Sequence, residues 1–407
     1  MKETVMKLRT QYLLLAATAA LMVCQVKAAD MNLLGTNLPA LDFHGFVSQG
    51  FLATTKYNYL DSDSKDGSFK FTEAGLNVSL NPFPRTRITA QGFLYSVGEA
   101  GKYRPFLDYA SIEYTVNDYL GLRAGRIRRP QGIYNDIQDV DLARTYVLLP
   151  QGIYDARSRD FSASVDGGDV FGNIPLSIAG AFSYDVYAGY INVAADSGVA
   201  ARINNSLPGG NVTSFEPTLT AGSQFWWNTP VDGLRFGASF GYGFNFDYNL
   251  SLPTGAPPPF PSSVSLEASS QFILQQYSAE YLWKNWTFQA EYYNIQVNQD
   301  TTSPAGTANS YDIDYSWYGA TAYRFNKWLE AGGYYNEYYA NESDASGSDA
   351  AQKDAALSFR FDPEPWWVIK LEGHYIRGTA LLEDNSDNPV RNNNGWFMLM
   401  LKTTVSF

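Results

Sequence analysis

The sequence predicts an all-β fold, a 16-stranded antiparallel transmembrane β-barrel whose third extracellular loop folds into the lumen as a constriction loop. Three observations carry the prediction. Apolar residues recur at every second position through most of the chain, short turns alternate with long polar connections, and the last strand alternates up to a terminal Phe407. A period of two is the mark of a strand whose faces meet different surroundings.

The alternation is plainest in Leu234 to Asn245, where Leu234, Phe236, Ala238, Phe240, Tyr242 and Phe244 are interleaved with small or polar residues. Ala74 to Leu80, Ala110 to Val116 and Ala355 to Phe361 repeat the pattern. Strands are expected near 43–53, 68–80, 85–97, 104–116, 119–127, 159–167, 174–184 and 216–228. The second half adds 233–247, 267–282, 286–299, 312–325, 328–340, 353–361, 366–378 and 395–407. Sixteen is an even number, as single-chain bacterial barrels require.

The connections support the count. Asn81–Pro84, Asn117-Asp118, Gly167–Asp169, Thr229–Asp232, Lys284-Asn285, Asn326-Lys327 and Asp362–Pro365 are short and carry turn chemistry. Asp61–Gly67, Pro253–Ser265 and Asn341–Lys353 are long and polar. This parity puts both termini on the short-turn side, the periplasmic side of an outer-membrane barrel. Trp226, Trp227, Trp283, Trp286, Trp328, Trp366 and Trp367 flank short turns and predict one interfacial belt. In the last strand, Phe397, Leu399, Leu401, Thr403 and Val405 take one face and Lys402, Thr404 and Ser406 the other. Such a strand must close on the first, because an open edge in lipid leaves backbone groups unpaired. Its terminal Phe407 resembles the recognition signal of the barrel-assembly machinery.

The first residues read as an export signal. Lys2, Lys7 and Arg9 precede the apolar run Tyr12 to Val23, and Val26-Lys27-Ala28 predicts cleavage after Ala28. The expected division is a signal peptide at 1–28 and a barrel at 29–407, with a short periplasmic lead at 29–42. That run is too short to span a hydrocarbon core, which needs roughly 20 residues. Cys24 follows Val23, where a lipoprotein signal needs a small residue.

Cleavage removes the only cysteine, and with it any disulfide, thiol nucleophile or cysteine metal ligand. It also takes four basic residues and one acidic one from totals of 29 and 41, leaving 25 against 40 and a net charge of −15. That acidity excludes a nucleic-acid partner and suits a surface bridged to lipopolysaccharide by divalent cations. Aromatic residues make up 15% of the chain and charged ones only 17%, and no mature stretch is apolar enough for a spanning helix.

Residues 128–158 are the unusual connection. Gln131-Gly132-Ile133-Tyr134 recurs as Gln151-Gly152-Ile153-Tyr154, each time after a proline, and Val147, Leu148 and Leu149 have little reason to sit in a solvated loop. They suit a loop packed on the inner wall. Arg123, Arg126, Arg128, Arg129, Arg144, Arg157 and Arg159 crowd this region, faced by Asp136, Asp139, Asp141, Asp155 and Asp160, while Arg85 and Arg87 extend the set on the third strand. Opposed arginine and aspartate rows across a narrow pore sort solutes by charge. The same residues also suit salt bridges that hold the loop in place.

Phe43 to Gly50 resembles the first strand of a broad proteobacterial porin family, related to the phosphate-selective porins. Gly125 to Asp136, followed by Thr145 to Tyr154, is similar to that family's third-loop region. The resemblance implies a homotrimeric channel for small hydrophilic or anionic solutes, with no cofactor. The phosphate-selective relatives carry lysine-rich and arginine-rich pores; here the arginines are present and no lysine row is evident. Two other readings keep the barrel. A hydrolase would have to use His44 or His374, the only histidines, and a closed or gated receptor or adhesin would differ only in how the lumen is filled.

Overall fold

A chain that alternates apolar and polar side chains needs two solvents, and the fold supplies them by closing a sheet. The computed structural model describes residues 41–98, 100–207, 209–255, 262–342, 346–382, 388–392 and 394–407, with two short paired strands, Asn32–Leu33 and Thr36–Asn37. The expected signal peptide at 1–28 and its cleavage site lie outside the described residues.

The barrel strands in chain order are β1 (Asp42–Thr54), β2 (Phe71–Phe83), β3 (Thr86–Val97), β4 (Phe106–Asn117), β5 (Leu120–Arg128), β6 (Ser164–Pro175), β7 (Ala181–Ile191) and β8 (Thr218–Asn228). They continue with β9 (Leu234–Pro253), β10 (Ser263–Trp283), β11 (Trp286–Ser303), β12 (Gly306–Arg324), β13 (Leu329–Tyr339), β14 (Ala351–Glu364), β15 (Trp367–Gly378) and β16 (Trp396–Ser406). Each is antiparallel to its sequence neighbours, and β16 returns to β1 with Met398 opposite Thr54 and Ser406 opposite Phe46. Gly45 N–H donates to the Phe407 carbonyl at 3.0 Å, and Phe407 N–H to that of Gly45 at 2.9 Å. No barrel strand is left with an open edge, which is the condition for a sheet in lipid.

The two faces are inverted relative to a water-soluble protein. On β14 to β16, Leu357, Phe359, Leu371, Leu399 and Leu401 are exposed outward, while Ser358, Arg360, Lys370, Glu372, Lys402 and Thr404 are buried inward. Apolar outside and polar inside is the pattern of a transmembrane barrel. Trp227, Trp283, Trp286, Trp328 and Trp366 are exposed beside turns at the end that carries the C-terminus, as expected of an interfacial belt. Trp226 departs from that expectation: the Arg235 guanidinium stacks on its ring at 4.2 Å, and the ring packs on the inner cluster around Tyr318.

Three expectations about the strands are corrected. The sixth and seventh strands sit further along the chain than 159–167 and 174–184, because Gly167-Gly168-Asp169 lies inside β6 and is not a turn. A Cβ on Gly167 would stand 2.1 Å from the Ala188 carbonyl oxygen of β7 and one on Gly168 2.8 Å from the Arg123 carbonyl oxygen of β5, so these glycines serve close approach of β6 to both neighbours. The turn is at Leu176–Gly180, closed by Leu176 N–H donating to Gly180 O at 2.8 Å, with Gly180 at φ 90°. Second, 300–311 is not a loop: β11 and β12 stay paired up to Ser303 opposite Gly306. Its residues are polar on both sides and read as a loop, yet they continue the ladder above the apolar belt. Strands β9 to β12 are 18 to 21 residues long against nine for β5, so the wall is much taller on that side. Third, the connection from β7 to β8 contains α2 (Gly198–Ser206), capped by the Ser197 hydroxyl accepting from Ala200 N–H. A further strand, Asn211–Phe215, extends the sheet beside β9.

Candidate functional site in the barrel lumen

The connection from β5 to β6, residues 129–163, is docked on inward-facing side chains of strands around much of the barrel. It carries the short helix α1 (Arg159–Ser162) and three single 3-10 turns. The repeated tetrapeptides are two docking turns. Gly132 N–H donates to the Ser239 hydroxyl of β9, Gln131 Nε2 to the Gln276 side chain of β10, and Ile133 N–H to Glu291 of β11. In the second copy Gly152 N–H donates to Asn336 Oδ1 of β13, and Gln151 Nε2 caps the Leu149 and Tyr154 carbonyls. The Tyr134 and Tyr154 rings meet edge to face at 5.6 Å and join the copies. Both glycines sit where the segment approaches its neighbours closely, and the first also holds a left-handed φ. A Cβ on Gly132, whose φ is +59°, would fall 2.1 Å from Gln276 Nε2, and one on Gly152 would fall 2.2 Å from Ser316 Oγ.

Between the copies, Val147, Leu148 and Leu149 are buried, and the Val147 and Leu148 N–H groups both donate to the Glu372 carboxylate of β15. Bare apolar residues in a polar lumen are thus accommodated by packing on the wall, with their backbone donors satisfied by a charged acceptor.

The expected arginines separate into distinct groups. Arg128 Nη2 lies 2.7 Å from Asp108 and 2.6 Å from Asp139, and Arg159 Nη2 reaches the other Asp108 oxygen at 2.7 Å. Arg123 points inward between Glu113, Asp169 and Asp185, at 3.6, 3.5 and 3.8 Å. Arg144 pairs with Asp141, and Arg157 with Asp155. Arg126 is turned away from these: it shares the outward parity of Leu122 on β5 and makes a two-pronged pair with Asp166, at 2.6 and 2.7 Å, beside outward Tyr190. Arg85 sits in the β2–β3 turn with φ 65° and donates to Val116 O, whereas Arg87 shares the inward parity of Gln91. Arg129 is 2% exposed and has no carboxylate within ion-pair distance among the described residues. Asp136 is open to the lumen, and Asp160 accepts from the Tyr95 hydroxyl.

Sequence reasoning missed a basic row. In register across β12 to β16 run Arg324, Glu330, Arg360, Lys370 and Lys402. Lys370 and Lys402 are fully buried around Asp141, which Thr404 also contacts through its hydroxyl at 2.7 Å. Each lysine stands alone in its own strand, so the row exists only once register is known. Asp108 was missed for a related reason. A bulge opposite Gln91-Gly92 turns both Asp108 and Tyr109 inward, which strict alternation does not foresee. Of the two histidines, His374 is clamped between Asp354 and Glu372, 3.0 Å from each, and His44 is exposed at the start of β1. Among the described residues neither is hydrogen-bonded to a serine.

The charges of the docked segment follow from these partners. Burial alone would raise the carboxyl of Asp141, but Lys370, Lys402 and Arg144 more than offset it and hold it well below the usual carboxylate range. Asp139 is likewise lowered against its burial by Arg128 and Arg159. Asp136 has no such partner: although its surface is open, the surrounding wall strips its solvation and pushes its carboxyl up to about 6, with Arg128 and Arg123 opposing the rise.

A closed, even-stranded barrel with an apolar outer belt and a charged inner wall is an outer-membrane β-barrel protein. Solved structures of that class superpose on it over nearly their whole length. The chain is similar to outer-membrane-expressed OmpT of Vibrio cholerae, at a TM-score of 0.55 and 13% identity, covering 92% of this chain and 100% of that one. It is similar to Salmonella typhi OmpF, at 0.53 and 12%, covering 91% and 98%. The outer membrane channel DcaP of Acinetobacter baumannii gives 0.52 and 10%, covering 90% and 97%. At these identities the likeness is one of fold. No family model and no curated protein matches the sequence.

Proposed function

We propose that the chain is an outer-membrane porin, a passive diffusion channel for small hydrophilic solutes in which residues 129–163 form the constriction. The observation that carries this reading is the docking of that segment on the inner wall of the barrel through inward polar side chains, with Glu291, Asn336 and Glu372 as its anchors. A segment fixed in this way narrows the passage without needing to move, which suits passive sieving.

A preference for anions is proposed from the lumen-facing cations. Arg87 has no ion-pair partner among the described residues, and Arg123 stays part-exposed among its acids. Most other arginines of the cluster are held by close carboxylates; Arg123 combines loose pairs to three acids with its exposure, and Arg87 is left to the selectivity role without an ion pair among the described residues. The family resemblance supports a homotrimer, and one solved OmpT of Vibrio cholerae is a trimer form.

Planar-bilayer conductance tests the reading. Stable current steps, with a reversal potential that moves toward cations in Arg87→Ala and Arg123→Ala, are expected. A folded protein that inserts and passes no current would make the barrel a closed receptor or adhesin instead.

A further inference from the structure

Where α2, the docked segment and the inner wall of β9 to β13 meet, they enclose a cavity of about 290 Å³. One side of its lining is apolar. Phe161 of α1, Phe246 of β9, Phe272 of β10, and Ile295 and Val297 of β11 give it an apolar wall. Arg129 borders the same space, 2% exposed, with its Nε lacking any hydrogen-bond partner and no carboxylate within ion-pair distance among the described residues. Its guanidinium lies over the Phe161 ring, 5.5 Å from the centroid.

A guanidinium withdrawn from water with no counter-charge is costly, because an aromatic face compensates only a fraction of its lost solvation. The other cation of the cavity differs. Arg202 of α2 is already shared between Asp155 at 3.7 Å, Asp314 at 3.8 Å and the Tyr338 hydroxyl at 2.9 Å. One positive charge therefore remains uncompensated, and it stands beside an apolar wall.

We propose that this cavity is a binding site for a small aromatic monocarboxylate, its carboxylate on Arg129 and its ring against the packed cluster of Phe161, Phe246 and Phe272. The inference rests on the channel reading only in that solutes reach the lumen. One unmatched cation fits one anionic group. A second carboxylate would meet Asp155 and Asp314. An inorganic anion would leave the Phe and Val side chains of that wall uncovered, whereas a ring buries apolar surface there. The volume, at the lower end of the roughly 300–1,000 Å³ of small-molecule pockets, limits the ligand to about one ring.

The test is isothermal titration of the detergent-solubilised full-length protein with benzoate, acetate and benzyl alcohol. Benzoate is expected to bind, with acetate and benzyl alcohol each weaker by about tenfold or more, since each lacks one half of the recognition. Arg129→Met is expected to lose benzoate by a similar factor. Val297→Trp, which fills the cavity from the wall and leaves Arg129 in place, is expected to lose it as well. It stands as the test if the arginine variant does not fold, with heat-modifiable gel mobility reporting folding. Equal binding of benzoate and acetate overturns the ring's role, equal binding of benzyl alcohol overturns that of Arg129, and no benzoate binding to the wild type overturns the site. Benzoate binding by a protein that conducts nothing would leave this inference standing and sink the channel reading, while conductance without benzoate binding would do the reverse.

Discussion

Lys370 Nζ lies 2.9 Å from the Asp141 carboxylate and donates to the same residue's backbone oxygen at 2.7 Å, so one buried lysine of β15 holds both the side chain and the main chain of the docked segment. Lys402 stands 3.3 Å from that carboxylate, and Arg144 closes the group at 3.4 Å. Asp141 is therefore shared by three cations, of which Lys402 also pairs with Glu73. Asp141→Asn leaves Lys370 and Arg144 buried without their carboxylate while Lys402 keeps Glu73, and a broken buried pair costs about 3–5 kcal/mol. Lys370→Met leaves Asp141 with Lys402 and Arg144 and is expected to cost less. Urea titration of the folded protein in lipid vesicles checks the order, and equal losses would mean that Asp141 does not organise the cluster.

The two docking glycines make a second prediction. Gly132→Ala must hold a left-handed φ and place a methyl group within contact of Gln276, Tyr154 and Glu291. Gly152→Ala meets Ser316 and Tyr338 without the backbone strain. Overpacking of this kind costs about 1–3 kcal/mol, so the damage should be larger at 132. It should appear as faster proteolysis within 129–163 and noisier single-channel current, while the barrel keeps its heat-modifiable mobility.

Acidification is expected to act through Asp136. Its carboxyl in the folded protein is raised to about 6 from an ordinary 3.8, so the folded state favours the protonated form. That contribution is complete below the ordinary value and is lost as pH rises through about 6. Going down through about 6 therefore neutralises an acid that faces Arg128 and Arg123, and the lumen becomes more positive. Reversal potentials measured on either side of that pH should move toward anions, and the movement should shrink in Asp136→Asn. Asp139 behaves in the opposite sense. Its lowered carboxyl stabilises the fold above the ordinary carboxylate range and gives way only at pH values below it. The hold of Arg128 on the segment should thus survive the whole window in which Asp136 titrates.

Alternation made the barrel legible because period two is a local signal: on β16, Phe397, Leu399 and Leu401 face out and Lys402 and Thr404 face in, as read from the sequence. Val147 to Leu149 announced a packed segment because apolar residues in a polar loop have no other place. Legibility failed wherever the decisive fact was a relation between distant residues. Gly167-Gly168 looks like a turn until β7 is seen to lie against it. Lys370 and Lys402 are opposite each other only through the register of β15 and β16. Arg126 and Arg128 are two apart in sequence, yet one meets Asp166 on the outer side and the other Asp108 and Asp139 inside, since Arg128 ends its strand. The site's composition was thus readable, but the pairing that leaves Arg129 unmatched was not.

The sharpest test of which face of β16 meets lipid compares two adjacent residues. Leu401 is 46% exposed, and Lys402 is buried against Glu73, Asp141 and the Phe71 ring. In a water-soluble protein Leu401→Arg would be a surface change within about 0.5 kcal/mol of neutral. In a barrel the new charge faces hydrocarbon and costs about 2–4 kcal/mol at the midplane, less toward the interfaces. Lys402→Met leaves the part-exposed Glu73 without its lysine, while the buried Asp141 keeps Lys370 and Arg144, so folding into vesicles should persist with a smaller loss than Asp141→Asn. The expected order in urea titrations has Leu401→Arg among the damaging changes despite its exposure. If Leu401→Arg folds into vesicles as well as the wild type, the outward face of β16 is not in lipid, and the pairing of β16 with β1 would need another explanation for its apolar belt.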